Sequence, residues 1–440
     1  MDITLRRAHP LRGTLSVPPD KAICQRAALA AALADGVTEI RPWPDADDCE
    51  RALDVARSLG VQVERGADGV RLVSSGRAGL RPPDAPLACG ESGTTFRLAA
   101  GLLAGCPFPS VLSAGSSLSR RPMRRIVEPL ARMGAAIDGR RAALGGEILP
   151  PLSIQGRRPL RAIRYAPPVP SAQVKSAILF AALVADGPTT VVEAAPTRDH
   201  TERLLRRCGV RVSGGPEVVL EPGAVQPPGR LCPPGDLSSA AFFIAATCCV
   251  PGSVLQLDDV GLNPTRTAFL AVLSRMGADL TMSASDDGWE PRGTITVRAR
   301  PLSAVVIEPA EVPGLIDELP VLMAVAACAR GTTRLTGLAE LRVKETDRIR
   351  SMADGLAALG IRVRQPAQDA MEIDGGALAG GRVQSAGDHR TAMSLAVAGL
   401  LAERPTTVAG AECVAKSYPG FFDQLGALTG STTGKTVDKG

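Results

Sequence analysis

Helical stretches with one apolar face run repeatedly into a Leu/Met/Cys-Gly-Ala/Val/Ile turn and then into alternating, strand-like residues. The turn stands at Leu59-Gly60-Val61, Met133-Gly134-Ala135, Cys208-Gly209-Val210, Met276-Gly277-Ala278 and Leu359-Gly360-Ile361, with a last copy at Leu425-Gly426-Ala427. A glycine there suits the left-handed residue that closes a helix. A second recurrence precedes it: alanine-rich helices end near Gly36, Gly105, Gly187, Gly252 and Gly331, each followed by a short β-branched run such as Thr189-Thr190-Val191-Val192. A unit of about 65 to 85 residues thus holds two helices and several strands. Three units fill each half of the chain, which predicts two α/β domains of similar design. The segments 27–34, 176–185, 240–247 and 322–329 are Ala/Leu-rich and look buried on most sides. Either helices form each domain's interior under sheet walls, or an ordinary layered fold buries some of them.

Composition removes several alternatives. With 45% hydrophobic and 22% charged residues, the 440-residue chain is neither disordered nor a collagen-like or disulfide scaffold. Aromatics at 3% leave little for base stacking, and a net charge of +5 with both signs interspersed suits local anionic pockets better than a nucleic-acid surface. The ten cysteines contain no C-x-x-C, and His9, His200 and His389 are far apart, so no zinc site is expected. No apolar run reaches the roughly 18 residues of a membrane helix. The first residues carry Arg6 and Arg7 without an apolar signal core behind them, and a cytoplasmic location is expected. The glycines at 430 and 434 are one residue too close for a phosphate-binding loop, so residues 429–440 are expected to be a flexible tail.

Six lysines stand against 44 arginines, and four of them, Lys21, Lys175, Lys344 and Lys416, sit in dense polar segments. Lys21 and Arg26 follow Pro18-Pro19-Asp20, where Asp20 can cap a helix whose free N–H groups also attract anions. Cys89-Gly90-Glu91-Ser92-Gly93-Thr94-Thr95-Phe96-Arg97 opens another helix with amides able to cradle phosphate or carboxylate, although Glu91 repels an anion unless a cation pairs with it. Ser119-Arg120-Arg121-Pro122-Met123-Arg124-Arg125 offers guanidinium forks, with Pro122 suited to a first helical turn; a solvated charged face is the alternative. Thr197 and Thr201 are possible caps around Arg198-Asp199-His200. Asp317 precedes an apolar helix as a cap, a catalytic acid or base, or both. Lys344 and Arg348 share a face if their segment is helical. Cations in both halves, interleaved with carboxylates, describe a cleft for one or two anionic substrates that domain closure assembles.

Taken together these segments resemble the 5-enolpyruvylshikimate-3-phosphate synthase family over about residues 10 to 426. The likeness rests on Asp20-Lys21 with Arg26, Ser92-Gly93-Thr94 with Arg97, Arg121-Pro122-Met123, and Ser171-Ala172-Gln173-Val174-Lys175-Ser176. It continues through Arg198-Asp199-His200-Thr201-Glu202-Arg203, Asn263-Pro264-Thr265-Arg266, Ile316-Asp317-Glu318-Leu319-Pro320, Arg342-Val343-Lys344-Glu345-Thr346-Asp347-Arg348, Asp388-His389-Arg390 and Lys416-Ser417-Tyr418-Pro419. The resemblance implies two inside-out α/β barrels, each of three βαβαββ-like units with buried parallel helices. One domain spans 21–234; the other joins 1–20 to 235–428.

It also implies transfer of the enolpyruvyl group of phosphoenolpyruvate to the 5-hydroxyl of shikimate 3-phosphate through a tetrahedral ketal. A monomer with no metal or organic cofactor, no nucleic-acid partner and no membrane partner is expected. Lys21, Gly93, Arg121, Arg348, Arg390 and Lys416 are expected to hold phosphoenolpyruvate. Arg26, Ser171, Ala172 through its backbone, Gln173, Arg198, Lys344 and Asp317 are expected at shikimate 3-phosphate. Asp317 and Glu345 are the expected acid/base pair, with Lys21 a further proton donor. The sibling family acting on UDP-N-acetylglucosamine typically carries a loop cysteine ahead of an arginine-proline pair, absent here; Cys106 lies too early and reads as core.

Two residues depart from the family pattern. Ala22 replaces a serine whose hydroxyl faces the shikimate side, a loss of about 1–3 kcal/mol for a hydrogen bond to a charged group. Glu91 replaces an asparagine and changes the local charge. The alternative activity these departures raise is a specialised paralogue that acts on shikimate 3-phosphate or a related ring, for example by eliminating phosphate without phosphoenolpyruvate.

Overall fold

The computed structural model describes residues 1–142, 146–285, 289–430 and 432–436. The chain forms two compact units: a middle unit, Pro19–Pro233, and a terminal unit made of Met1–Pro18 with Pro234–Gly440. Both connections run through proline pairs, Pro18-Pro19 and Pro233-Pro234. Their fixed φ suits extended links, and Pro19 takes part in an isolated bridge.

Among the described residues each unit holds three separate sheets of three or four strands, and no sheet closes into a barrel. The plan repeats. A parallel pair flanks a helix, and antiparallel strands follow a second helix. In the middle unit, Leu87–Ala88 pairs parallel with Pro109–Ser113, and Ile148–Gln155 then runs antiparallel to it. In the terminal unit, Val306–Ile307, Thr332–Leu335 and Met371–Asp374 do the same. Three sheets are completed from distant sequence: Arg12–Ser16 lies parallel to Val254–Gly261, Gly229–Leu231 lies parallel to Asp35–Ile40, and Asp2–Leu5 lies antiparallel to Thr406–Ala409. Burial alternates along Ile148–Gln155, so that one face is covered and the other meets water.

The covered faces rest on helices of two kinds. Lys21–Leu33, Gly93–Ala104 and Ala172–Ala182 in the middle unit, and Leu237–Cys249, Leu319–Ala326 and His389–Gly399 in the terminal unit, are buried almost all round. Small side chains permit this crowding. A Cβ on Gly101 would stand 2.1 Å from the Ala177 carbonyl oxygen, so two of these helices touch backbone to backbone there. The second helix of a repeat, such as Arg124–Arg132, buries only one stripe. Interior helices under sheet walls are therefore what the alanine-rich segments form.

Gly60, Gly134, Gly209, Gly277 and Gly360 are all left-handed after their helices. The sixth turn differs. Gly426 lies inside helix Phe421–Thr429, and the left-handed stop is Gly430. Beyond it the expected tail forms a strand, Thr432–Thr436, antiparallel to Asp2–Leu5. Residues 431 and 437–440 of that segment lie outside the described residues.

Candidate active site

In the middle unit the chemistry gathers at the first turns of the three interior helices. Asp20 caps the first, accepting from the Ala22 and Ile23 amides at 2.8 and 3.1 Å. Ser92 and Ser171 cap the other two, at Thr95 and Val174. The first turns are tied sideways. Gln25, fully buried, accepts from Ser92 and Thr95 hydroxyls, while Gln173 receives Arg97 Nη1 at 2.7 Å and gives its own amide to Thr94 at 2.9 Å. Three helix N-termini at one end of a unit concentrate positive potential where an anion would bind.

Cations are added to that end. Arg26 is buried and donates to Thr201 Oγ1 at 2.9 Å, Ser176 Oγ at 3.3 Å and the Ala22 carbonyl at 2.8 Å. Lys21 pairs with Asp48 at 2.7 Å. Arg121 lies beside Gly93: a Cβ on that glycine would sit 3.5 Å from Arg121 Nη1 and 2.8 Å from Arg97 Nη1. Arg198 is half-buried in the loop before helix His200–Arg207, and Ser171, Ala172 and Gln173 are likewise half-buried. Lys175 proves structural. Its ammonium, 1% exposed, meets Glu193 at 2.8 Å and Glu202 at 2.6 Å. Burial raises the pKa of Glu202 against the pull of Lys175.

Three local expectations change. Thr197 and Thr201 cap nothing: Asp199 holds the cap position of His200–Arg207 without a side-chain bond, and Thr201 serves Arg26 instead. Pro122 precedes helix Arg124–Arg132 rather than sitting in its first turn, because Arg121 closes a short 3-10 turn, Leu118–Arg120. Glu91 faces that turn and accepts the Ser117 and Leu118 amides at 3.0 and 2.7 Å.

The terminal unit builds a denser cluster around one guanidinium. Arg348, 1% exposed, opens helix Arg348–Ala358 and donates to Asp388 at 2.7 Å and Glu345 at 2.7 Å, with Asp317 at 3.7 Å. Burial opposes its charge, but Asp388, Glu345 and Asp317 outweigh it and hold its pKa above the ordinary arginine value. Arg390 reaches Asp317 through both the side chain, at 3.7 Å, and the carbonyl, at 2.6 Å. Lys416 stands 3.6 Å from Glu345. Asp388 also caps helix His389–Gly399 through the Arg390 amide at 2.8 Å. Lys344 keeps 26% of its side chain exposed and lies 3.9 Å from Glu340. Desolvation lowers its pKa to about 8, against the pull of Asp317 and Glu340.

Here too local geometry departs from expectation. Lys344 and Arg348 share no helix face, since 3-10 turn Ala339–Val343 ends before Lys344 and the next helix starts only at Arg348. Asp317 is not a cap. Glu318 occupies that position and makes no cap bond, its buried carboxylate being engaged by Ser238 Oγ and by Arg266 at 3.6 Å.

Sequence reasoning gave Asp48, Thr201, Asp388 and Arg266 no role at the site. Only Asp388 carried a local signal, a carboxylate just before an apolar helix. Among the described residues no group of three or more His, Cys, Asp or Glu could hold a metal ion. Cys106 is buried, and burial pushes its thiol up to about 11. A groove of about 790 Å³ lined by Pro86, Val111, Ala135 and Ile137 contains none of these site residues.

Residues 5–425 match the family described as EPSP synthase (3-phosphoshikimate 1-carboxyvinyltransferase). A 3-phosphoshikimate 1-carboxyvinyltransferase of Salinibacter ruber is 47% identical, over 97% of this chain and 99% of that protein. One from Halorhodospira halophila is 48% identical, over 95% and 94%. A solved EPSP synthase of Acinetobacter baumannii superposes with a TM-score of 0.86 at 40% identity, over 98% of this chain and 99% of that one.

Proposed function

The chain belongs to the EPSP synthase family, and we propose that it transfers the 1-carboxyvinyl group of phosphoenolpyruvate to the 5-hydroxyl of shikimate 3-phosphate, releasing phosphate. The observation that carries this reading is the Arg348 guanidinium touching both Asp317 and Glu345. The reaction protonates the methylene carbon of phosphoenolpyruvate while the hydroxyl oxygen adds to its neighbour. The resulting ketal then loses phosphate and a methyl proton. Two proton-transfer groups are required, and an always-charged guanidinium orients two carboxylates for them.

In this reading Asp317 takes the hydroxyl proton and Glu345 exchanges the proton at carbon, with Lys21 a further donor. Lys21, Gly93, Arg121, Arg348, Arg390 and Lys416 hold phosphoenolpyruvate. Arg26, Ser171, the Ala172 backbone, Gln173, Arg198 and Lys344 hold shikimate 3-phosphate, with Asp317 at its ring. The reading carries with it a cytoplasmic monomer and an inside-out barrel arrangement of each unit. Glu91 is turned to the Ser117 and Leu118 amides, which supports ordinary phosphoenolpyruvate chemistry over elimination without it.

Phosphorus NMR of the protein with shikimate 3-phosphate, with and without phosphoenolpyruvate, tests the assignment. Inorganic phosphate and an enolpyruvyl product are expected only when both substrates are present. Phosphate released from shikimate 3-phosphate alone overturns the transferase and points to an eliminating enzyme.

A further inference from the structure

We infer that Glu91 is a positioning residue for phosphoenolpyruvate binding, holding the turn that presents Arg121 to the amide end of helix Gly93–Ala104. The inference rests on the reading that Arg121 holds phosphoenolpyruvate.

The carboxylate is spread over one turn. Oε1 accepts the Ser117 amide at 3.0 Å and the Ser116 hydroxyl at 3.4 Å, and Oε2 accepts the Leu118 amide at 2.7 Å. These amides belong to the start of the 3-10 turn Leu118–Arg120, where N–H groups have no partner within the turn and attract negative charge. The backbone repeats the tie: the Gly115 amide donates to the Gly90 carbonyl at 2.7 Å. A Cβ on Gly115 would stand 2.5 Å from Glu91 Oε1, so the turn closes on the carboxylate without a side chain between them.

At the far end of the turn, the Arg121 amide donates to the Leu118 carbonyl at 3.0 Å. Leu118 is fully buried, and both its Cδ1 and Arg121 Nη1 lie 3.5 Å from the Cβ position of Gly93. A turn anchored at Ser117 and Leu118 by Glu91, and at Leu118 by the core, leaves Arg121 little freedom to drift from the helix end. A negative charge that weakens anion binding when free thus strengthens it indirectly, because amides neutralise it and its geometry fixes a cation.

Steady-state kinetics of Glu91→Ala, Glu91→Gln, Gly115→Ala and Arg121→Ala, with Glu91→Ala also placed in the Arg121→Ala background, test this. Glu91→Ala is expected to raise KM for phosphoenolpyruvate about tenfold with kcat within about twofold. Glu91→Gln, which keeps one accepting oxygen, should fall between. Gly115→Ala should mimic the loss, since its new methyl displaces the carboxylate without changing charge. The dissociation constant for shikimate 3-phosphate alone should not move.

In the Arg121→Ala background Glu91→Ala should add less than about twofold, since the two residues then act through one contact. Full additivity, or an equal loss in kcat and in shikimate 3-phosphate binding, overturns the inference in favour of general stabilisation. If Arg121→Ala raises KM but none of the Glu91 and Gly115 variants does, the positioning role alone fails. If Arg121→Ala leaves KM unchanged, the assignment of Arg121 fails first and the role of Glu91 with it.

Discussion

In the middle unit Arg26 meets the hydroxyls of Thr201 and Ser176 and a carbonyl, whereas in the terminal unit Arg348 meets the carboxylates of Asp388, Glu345 and Asp317. Both arginines are almost fully buried, so the difference lies in partners and not in depth. Neutral acceptors orient a guanidinium and leave its charge for an incoming phosphate. Carboxylate partners consume that charge but are themselves held in place, which suits groups that must move protons. Lys21 is the exception on the binding side, since Asp48 pairs with it. The comparison separates a guanidinium oriented by neutral acceptors from one that holds carboxylates in place.

The strongest challenge to that division is Glu345→Gln. It should lower kcat roughly 10³- to 10⁴-fold, in the range of a lost general acid/base, while calorimetric binding of shikimate 3-phosphate persists. Loss of shikimate 3-phosphate binding instead would make Glu345 a binding residue and not a proton-transfer group.

Next in size is the stability contrast between the two arginines. Arg348→Met strands buried carboxylates and should cost about 3–5 kcal/mol in urea unfolding. Arg26→Met leaves hydroxyls that can pair with each other, as Ser176 and Thr201 already do at 2.6 Å, and should cost about 1–2 kcal/mol. Equal losses would erase the distinction.

A smaller effect follows from pH. Lys344 is charged below about 8 and neutral above it. Its contribution to phosphate binding should therefore fade as pH rises through about 8, weakening affinity for shikimate 3-phosphate by up to tenfold per pH unit. Lys344→Arg should abolish the break. In the free protein the sign reverses: between pH 8 and 10.5 the unfolded chain binds the extra proton, so this lysine makes stability rise with pH.

The smallest change expected is Ala22→Ser. Ala22 is half-buried in the first turn of its helix, and a restored hydroxyl should lower KM for shikimate 3-phosphate severalfold, worth about 1 kcal/mol. No change in KM would mean that the missing hydroxyl faces no substrate group.

Much of the scaffold was legible because it is written in short-range chemistry. Asp20, Ser92, Ser171 and Asp388 each precede an apolar helical run and each caps it. Where local pattern misled, long-range packing had the stronger hold. Gly426 looks like the other five turns, yet the helix runs past it to Thr429 and stops at Gly430. Glu318 and Asp317 are neighbours of the same charge, and only their partners separate them: Ser238 and Arg266 draw Glu318 into the core, while Arg348 and Arg390 hold Asp317 at the site. Glu91 is the clearest case. Its charge alone suggested repulsion of an anion, whereas its direction is set by amides some 26 residues away.

By itself, then, the sequence determined the repeating α/β unit, the interior placement open to its alanine-rich helices and the residue types at their N-termini. Helix caps, left-handed glycines and apolar periodicity act over a few residues and can be read in order along a chain. Only the tertiary structure decided which carboxylate meets which cation. Arg348 and Asp388 are 40 residues apart, Ser238 and Glu318 are 80 apart, and Arg26 and Thr201 are 175 apart. Electrostatic and hydrogen-bond partners are chosen by distance in space once the helices are packed, and no local pattern encodes that distance.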